Sequence, residues 1–270
     1  MTPATKPLLV AATILTTIGS ARADEHDPSC AGRHGLSSPV PDACLETIDT
    51  DRPHQTDTPH VVPAGHVQVE SAVVAIALGG TVGNASGNRD AHVAMFENNY
   101  KLGLTDGVDV QLAFKHAEYV PAGRNFVAPG PYNLRLKLSL VDEDGAAPAV
   151  TLVPTLFIPV DPDRSVRGGA LLFWGWDLPR GFELEMNAGA LFGKAPKPPV
   201  AAALATALTG HVAGKLKAFV DVYATGWDIQ FGTGLLYPVT RDVQIDAGTY
   251  VGLHGDTAVA TPFVGLSVRR

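Results

Sequence analysis

Charged side chains recur at a spacing of two along this chain, and opposite signs sit on different stretches. Arg135 and Lys137, Glu183 and Glu185, Lys215 and Lys217, and Gln244 and Asp246 each flank one apolar residue. Glu70, Glu97, Lys101, Asp109, Lys115 and Asp221 belong to similar alternations. Chemistry available to such a set is ionic. Lone charges in a narrow, poorly hydrated space are costly, so opposite signs should pair across it or divide into acidic and basic walls.

Other chemistry is thinly supplied. His26, His34, His54, His60 and His66 crowd the first quarter of the chain. No H-x-x-x-H spacing or Cys/His quartet accompanies them, so they read as solvated loop residues and no metal site is assigned. An outer-membrane hydrolase with a serine–histidine pair on the barrel wall is the lesser alternative, but its candidates His92, His116 and His211 lack an identifiable nucleophile, and no G-x-S-x-G elbow, P-loop or dinucleotide fingerprint occurs. The chain therefore reads as a non-enzyme with no cofactor.

The elements that must position these charges are strands. Leu134, Leu136, Leu138 and Leu140 interleave with Arg135, Lys137 and Ser139; Phe182, Leu184 and Met186 interleave with Glu183 and Glu185; Val243 and Ile245 interleave with Gln244 and Asp246. A period of two sends alternate side chains to opposite faces of a sheet. Here one face is oily and the other ionised, the pattern of a barrel with lipid outside and a wet lumen. A soluble β-protein binding a lipophilic ligand is the competing arrangement, with the oily face as its core.

Residues 1–23 have the form of a secretory signal: Lys6, an apolar run from Leu8 to Ile18, and Ala21-Arg22-Ala23 before Asp24. No later run is a spanning helix, because Pro148, Pro154 and Pro159 interrupt the longest apolar stretch. Residues 24–64 form an acidic leader, rich in Pro, Asp, Ser and His, and residues 65–270 form the barrel. Cys30 and Cys44, the two cysteines, both fall in the leader, where an oxidising periplasm favours a disulfide. With a net charge of −7 and no basic stripe, nucleic acid is excluded as a partner.

Turn signals at Thr105-Asp106-Gly107, Asp142 to Gly145, Leu178 to Gly181, Ala213-Gly214 and Val239 to Asp242 alternate with mostly longer connections. That rhythm predicts an all-β, antiparallel transmembrane barrel of about twelve strands, both ends on the short-turn, periplasmic side. Val200–Val212 is the weakest strand, since Ala201, Ala202, Ala203, Ala205 and Ala207 favour helix. Trp174, Trp176, Tyr223, Trp227, Tyr237 and Tyr250 are candidates for interfacial aromatic girdles or for ordinary core.

Thr50-Asp51-Arg52-Pro53-His54-Gln55-Thr56-Asp57-Thr58-Pro59, followed by Val62-Pro63-Ala64-Gly65-His66-Val67-Gln68-Val69-Glu70, carries a resemblance. It is similar to the lead-in segment of outer-membrane proteins described as "putative MetA-pathway of phenol degradation". Tyr100 to Asp106, Leu152 to Pro159, Asp177 to Phe182 and Gln244 to Gly248 add weaker matches over residues 47–270. The resemblance implies a roughly twelve-stranded barrel in a Gram-negative outer membrane that moves small molecules, with aromatic or hydrophobic ones among the candidates. Two departures are visible: His54 stands where the family has an acid, and the last residues are Arg269-Arg270 where it commonly has an aromatic. Expected partners are outer-membrane lipid, the barrel-assembly machinery during insertion, and an unidentified solute, with the protein monomeric. Asp51, Arg52 and Asp57 are expected to form a local turn and ion-pair cluster anchoring the leader beneath the first strand; a lumenal plug is the alternative.

Overall fold

The computed structural model describes residues 30, 32–81, 91–120, 125–127, 131–160, 165–193, 200–226, 228–254 and 257–270. The signal segment and Trp227 lie outside them. Its strands are β1 (Val67–Thr81), β2 (Ala91–Thr105), β3 (Val108–Val120), β4 (Asn125–Val127), β5 (Tyr132–Val141), β6 (Ala149–Ile158) and β7 (Arg167–Leu178). They continue as β8 (Phe182–Phe192), β9 (Val200–Ala213), β10 (Leu216–Thr225), β11 (Asp228–Pro238), β12 (Val243–His254) and β13 (Thr257–Arg269). Each long strand pairs antiparallel with its neighbours, and β1 pairs with both β2 and β13. That double pairing closes a ring of twelve strands, with β4 a short addition against β3. Closure leaves no unpaired edge, the condition for strands to cross a bilayer. Among the described residues no helix is long and apolar enough to do so.

Local chemistry makes the tight turns. Arg180 and Gly181 both take positive φ between β7 and β8, a conformation glycine adopts without steric cost. β9 is a strand despite its alanines. Ala201, Ala203, Ala205 and Ala207 all face inward and are buried, while Leu204 and Leu208 are exposed, so strand pairing on both sides overrides helix propensity.

Burial is inverted relative to a soluble protein. On β5, Leu134 is 39% exposed and Lys137 1%; on β12, Ile245 is 47% exposed and Asp246 4%. The oily rows Leu134, Leu156, Leu172, Phe231 and Val264 look outward, as lipid contact demands.

The core lies inside the cylinder, and part of it is the leader. Backbone and side-chain atoms of residues 49–62 bond to β1, β2, β3, β5, β6, β8, β10, β11 and β12. Only a segment within the ring can touch walls on all sides. Gly103 admits it: a Cβ there would collide with the main chain of Val62 and Pro63. At the short-turn rim, residues 32–48 lie over the mouth, with His34 bonded to Asp106 and Val40 to Ala64. Cys30 and Cys44 form a disulfide, and Ile48 N–H donates to the Arg241 carbonyl at 2.7 Å.

The candidate functional site: a lumen with a leader loop inside

β2 and β5 bring two lysines to one point of the loop, because Lys101 and Lys137 occupy the inward parity of their strands. Lys137 Nζ donates to Asp51 Oδ1 at 2.9 Å, to the Thr58 carbonyl at 2.8 Å and to the His60 carbonyl at 2.9 Å. Lys101 Nζ lies 2.6 Å from Asp51 Oδ2 and also pairs with Glu70. Glu70 in turn accepts from the Asp51 N–H at 3.2 Å. Burial alone would raise the Asp51 carboxyl, but the Lys101 and Lys137 ammoniums outweigh it and hold that group far below the usual carboxylate range. Beside this cluster Arg135 Nη2 holds Asp57 Oδ2 at 2.5 Å, and Asp109 Oδ2 accepts from the Val62 N–H at 3.0 Å.

The opposite wall carries carboxylates and aromatic rings. Arg52 Nη2 donates to Asp246 Oδ1 at 3.0 Å, and its guanidinium lies 5.3 Å from the Phe263 ring centre. Burial would lower the Arg52 guanidinium, yet Asp246 more than offsets it and the net shift is upward. Gln55 N–H donates to Asp221 Oδ2 at 2.7 Å, and Tyr250 donates its hydroxyl to the Pro53 carbonyl. His54 Nδ1 bonds the Thr56 carbonyl, which can only accept, so Nδ1 carries a proton. Its Nε2 is 3.1 Å from Glu185 Oε2, and its ring meets Phe219 edge-on. Asn187 reads the loop backbone from β8: its Oδ1 accepts from Asp57 N–H at 2.7 Å, and its Nδ2 donates to the Asp57 carbonyl at 2.8 Å.

Asp51 and Asp57 thus pair with adjacent cations of the β2–β5 wall and Arg52 with Asp246 on β12, not with one another. The loop does fold back on itself, with Thr58 N–H donating to Asp51 Oδ1 at 3.1 Å and Thr58 Oγ1 to Asp49 Oδ2 at 2.8 Å, but the charges opposite to Asp51, Arg52 and Asp57 stand on the wall. Of the other residues singled out by pattern, Glu183 and Lys217 pair at 2.5 Å near the short-turn end. Glu97 faces Lys115 in the β2–β3 register but is exposed. Lys215 does not line the interior; it occupies the turn between β9 and β10 and is exposed.

Tyr250 points inward instead of joining a girdle, stacking on Phe263 at 4.7 Å. It belongs to a group of inner aromatics, with Phe173, Phe219 and Phe263, that a search for charges passes over. Period two was the available signal: Phe219 sits midway between Lys217 and Asp221, and Phe263 shares parity with Arg269. Arg135 and Lys137 approach the Phe173 ring at 5.4 and 5.8 Å.

At the rim, Arg269 Nη2 donates to Asp242 Oδ1 at 2.7 Å and to the Glu46 carbonyl at 2.6 Å. Asp242 is half-buried; burial would raise its carboxyl, but hydrogen bonds from Arg269 and Arg241 lower it. Between the loop and the β7–β10 arc a cavity of about 480 Å³ remains, lined by Ile48, Asp49, Pro59, Glu183, Glu185 and Lys217. Among the described residues no three His, Cys, Asp or Glu side chains gather to hold a metal.

The barrel resembles the crystal structure of the COG4313 outer membrane channel from Pseudomonas putida F1. The TM-score is 0.54 at 10% identity, covering 78% of this chain and 97% of that one. The NanC porin aligns at a TM-score of 0.49 and 9% identity, over 75% of this chain and 98% of its own. The KdgM porin, solved with disordered oligogalacturonate, aligns at 0.47 and 7%, over 74% and 98%. At such identities the likeness is one of fold. None of the curated proteins matches the chain in sequence. A family profile matches residues 50–269, the inserted loop and the whole ring of strands, so the chain belongs to the outer-membrane barrel family described as "Putative MetA-pathway of phenol degradation".

Proposed function

We propose that the protein is an outer-membrane channel for a small solute and that its own loop 49–62 occupies the path at rest. One observation carries this reading. The inner-wall charges Lys101, Arg135, Lys137 and Asp246 bond to the loop, and Asp51, Asp57 and Arg52 supply the opposite signs. A barrel needed only as a scaffold could close its bore by pairing wall to wall. Here withdrawal of the loop would uncover a polar bore, and solute or a counter-ion would replace the loop's charges. The likeness to the COG4313 outer membrane channel agrees with such a role.

In this reading residues 1–23 direct export, 24–64 are a periplasmic leader whose distal part enters the barrel, and 65–270 span the membrane. The protein is monomeric, meets outer-membrane lipid along its oily rows, and is inserted by the barrel-assembly machinery. Glu70, Asp109, Glu185 and Asp221 join the residues above as lining groups. In this reading it is not an enzyme, since Lys101, Arg135, Lys137 and Asp246 are engaged in seating the loop.

Planar-bilayer recording of the full chain tests this. Low conductance is expected for the native protein, and brief open events for Arg135→Ala, which leaves the Asp57 carboxylate without its guanidinium. A native chain and loop-weakened variants that all carry no current and no solute flux would overturn it.

A further inference from the structure

The inner wall of β10, β12 and β13 is built differently from the rest of the lumen. Phe219 and Phe263 are buried there, with Tyr250 stacked on Phe263, whereas the buried Phe173 ring on β7 stands beside the cations Arg135 and Lys137. Beside these rings stand Asp221 and Asp246. Such a combination of ring faces and desolvated carboxylates is what recognises organic cations: the ring quadrupole attracts positive charge, and the carboxylate supplies the counter-charge.

The chain itself shows the fit. Arg52 places its guanidinium 3.0 Å from Asp246 Oδ1 and 5.3 Å from the Phe263 ring centre. The wall is shaped for that pair, since a Cβ on Gly265 would come within 2.6 Å of Arg52 Nη2 and 2.7 Å of Asp246 Oδ2. Arg52 does not exhaust the site. Asp246 is 4% exposed, yet its Oδ2 has no hydrogen-bond partner among the described residues. A buried carboxylate oxygen left unpaired is costly, and a smaller cation free to turn could satisfy both oxygens.

We propose that this wall is a binding site for a small organic cation, a guanidinium or an alkylammonium, and that Arg52 occupies it in the resting chain. As a statement about the permeating solute it rests on the channel reading above; as a binding site it does not. The full-length Arg52→Ala variant empties the site. Methylguanidinium and its neutral counterpart N-methylurea are then titrated against it in detergent micelles by calorimetry. Methylguanidinium should bind at least about tenfold more tightly than N-methylurea, as a desolvated cation–π and carboxylate contact requires. The preference should vanish in Arg52→Ala/Asp246→Asn and be absent in the native chain, where Arg52 fills the site.

Equal binding of the two probes, binding of neither, or a preference that survives Asp246→Asn would overturn the proposal. Should Arg52→Ala fail to assemble, Arg52→Gln carries the same comparison. Because the titration reads binding and not current, a non-conducting chain that shows the preference refutes the channel alone. A conducting chain without it refutes the cation site alone.

Discussion

The two halves of the inner wall hold the same loop by different means. On the β1–β5 arc, Asp51 sits between two ammoniums, and Lys137 spends its donors on Asp51 and two loop carbonyls. Lys137 is 1% exposed, so these groups are sealed from water. On the β10–β13 arc the Arg52 side chain keeps 18% of its surface, and its contact is one carboxylate oxygen and a ring face. The first half is a lock, in which removing one member strands several buried charges. The second is a seat, in which the occupant can be exchanged at lower cost. A loop that must both close a bore and leave it is well served by that division.

Breaking the lock should have the largest effect. Lys137→Met leaves Asp51 and the Thr58 and His60 carbonyls short of a donor, an effect of about 3–5 kcal/mol on loop seating for a buried pair broken on one side. Frequent full openings in bilayer recordings would report it; unchanged closure would mean that the β1–β5 arc is not the lock. Arg135→Ala removes a charged contact that is partly wet, and about 2 kcal/mol is expected, read as briefer openings.

Acid sharpens the contrast. Asp51 has its folded pKa depressed below the ordinary 3.8, so its contribution is complete above that value and is lost as pH falls through the lower folded one. The loop should therefore stay seated from pH 7 to 5 and loosen only below about pH 4. Release already at pH 5–6 would point to another group as the fastener. Arg52→Ala should weaken seating by about 2 kcal/mol, less than Lys137→Met, since one side-chain hydrogen bond is lost where Lys137 makes three. Reduction of Cys30–Cys44, out at the rim, should change conductance least of all, since no inner-wall pair depends on it.

Strand alternation was legible because period two is a local property. From Leu134-Arg135-Leu136-Lys137 alone it follows that two faces differ, and the turn rhythm adds antiparallel closure near twelve strands. β9 defeated local propensity, since its alanines become strand only through pairing with β8 and β10. Lys215 defeated simple counting, because a two-residue turn interrupts the parity it shares with Lys217. Phe173, Phe219 and Phe263 were open to the same parity, but apolar residues among inward charges do not announce themselves.

The amino-acid order by itself therefore determined the barrel, its oily outer rows, its ionised inner rows and the disulfide-forming leader, all consequences of patterns a few residues long. Where the leader goes was decided by the tertiary structure alone. Asp51 and Lys137, or Arg52 and Asp246, are far apart along the chain, and nothing local names the partner of a charge. Only closure of the ring sets a lysine-bearing arc and a carboxylate-bearing arc around one lumen, and makes a short segment with both signs fit between them.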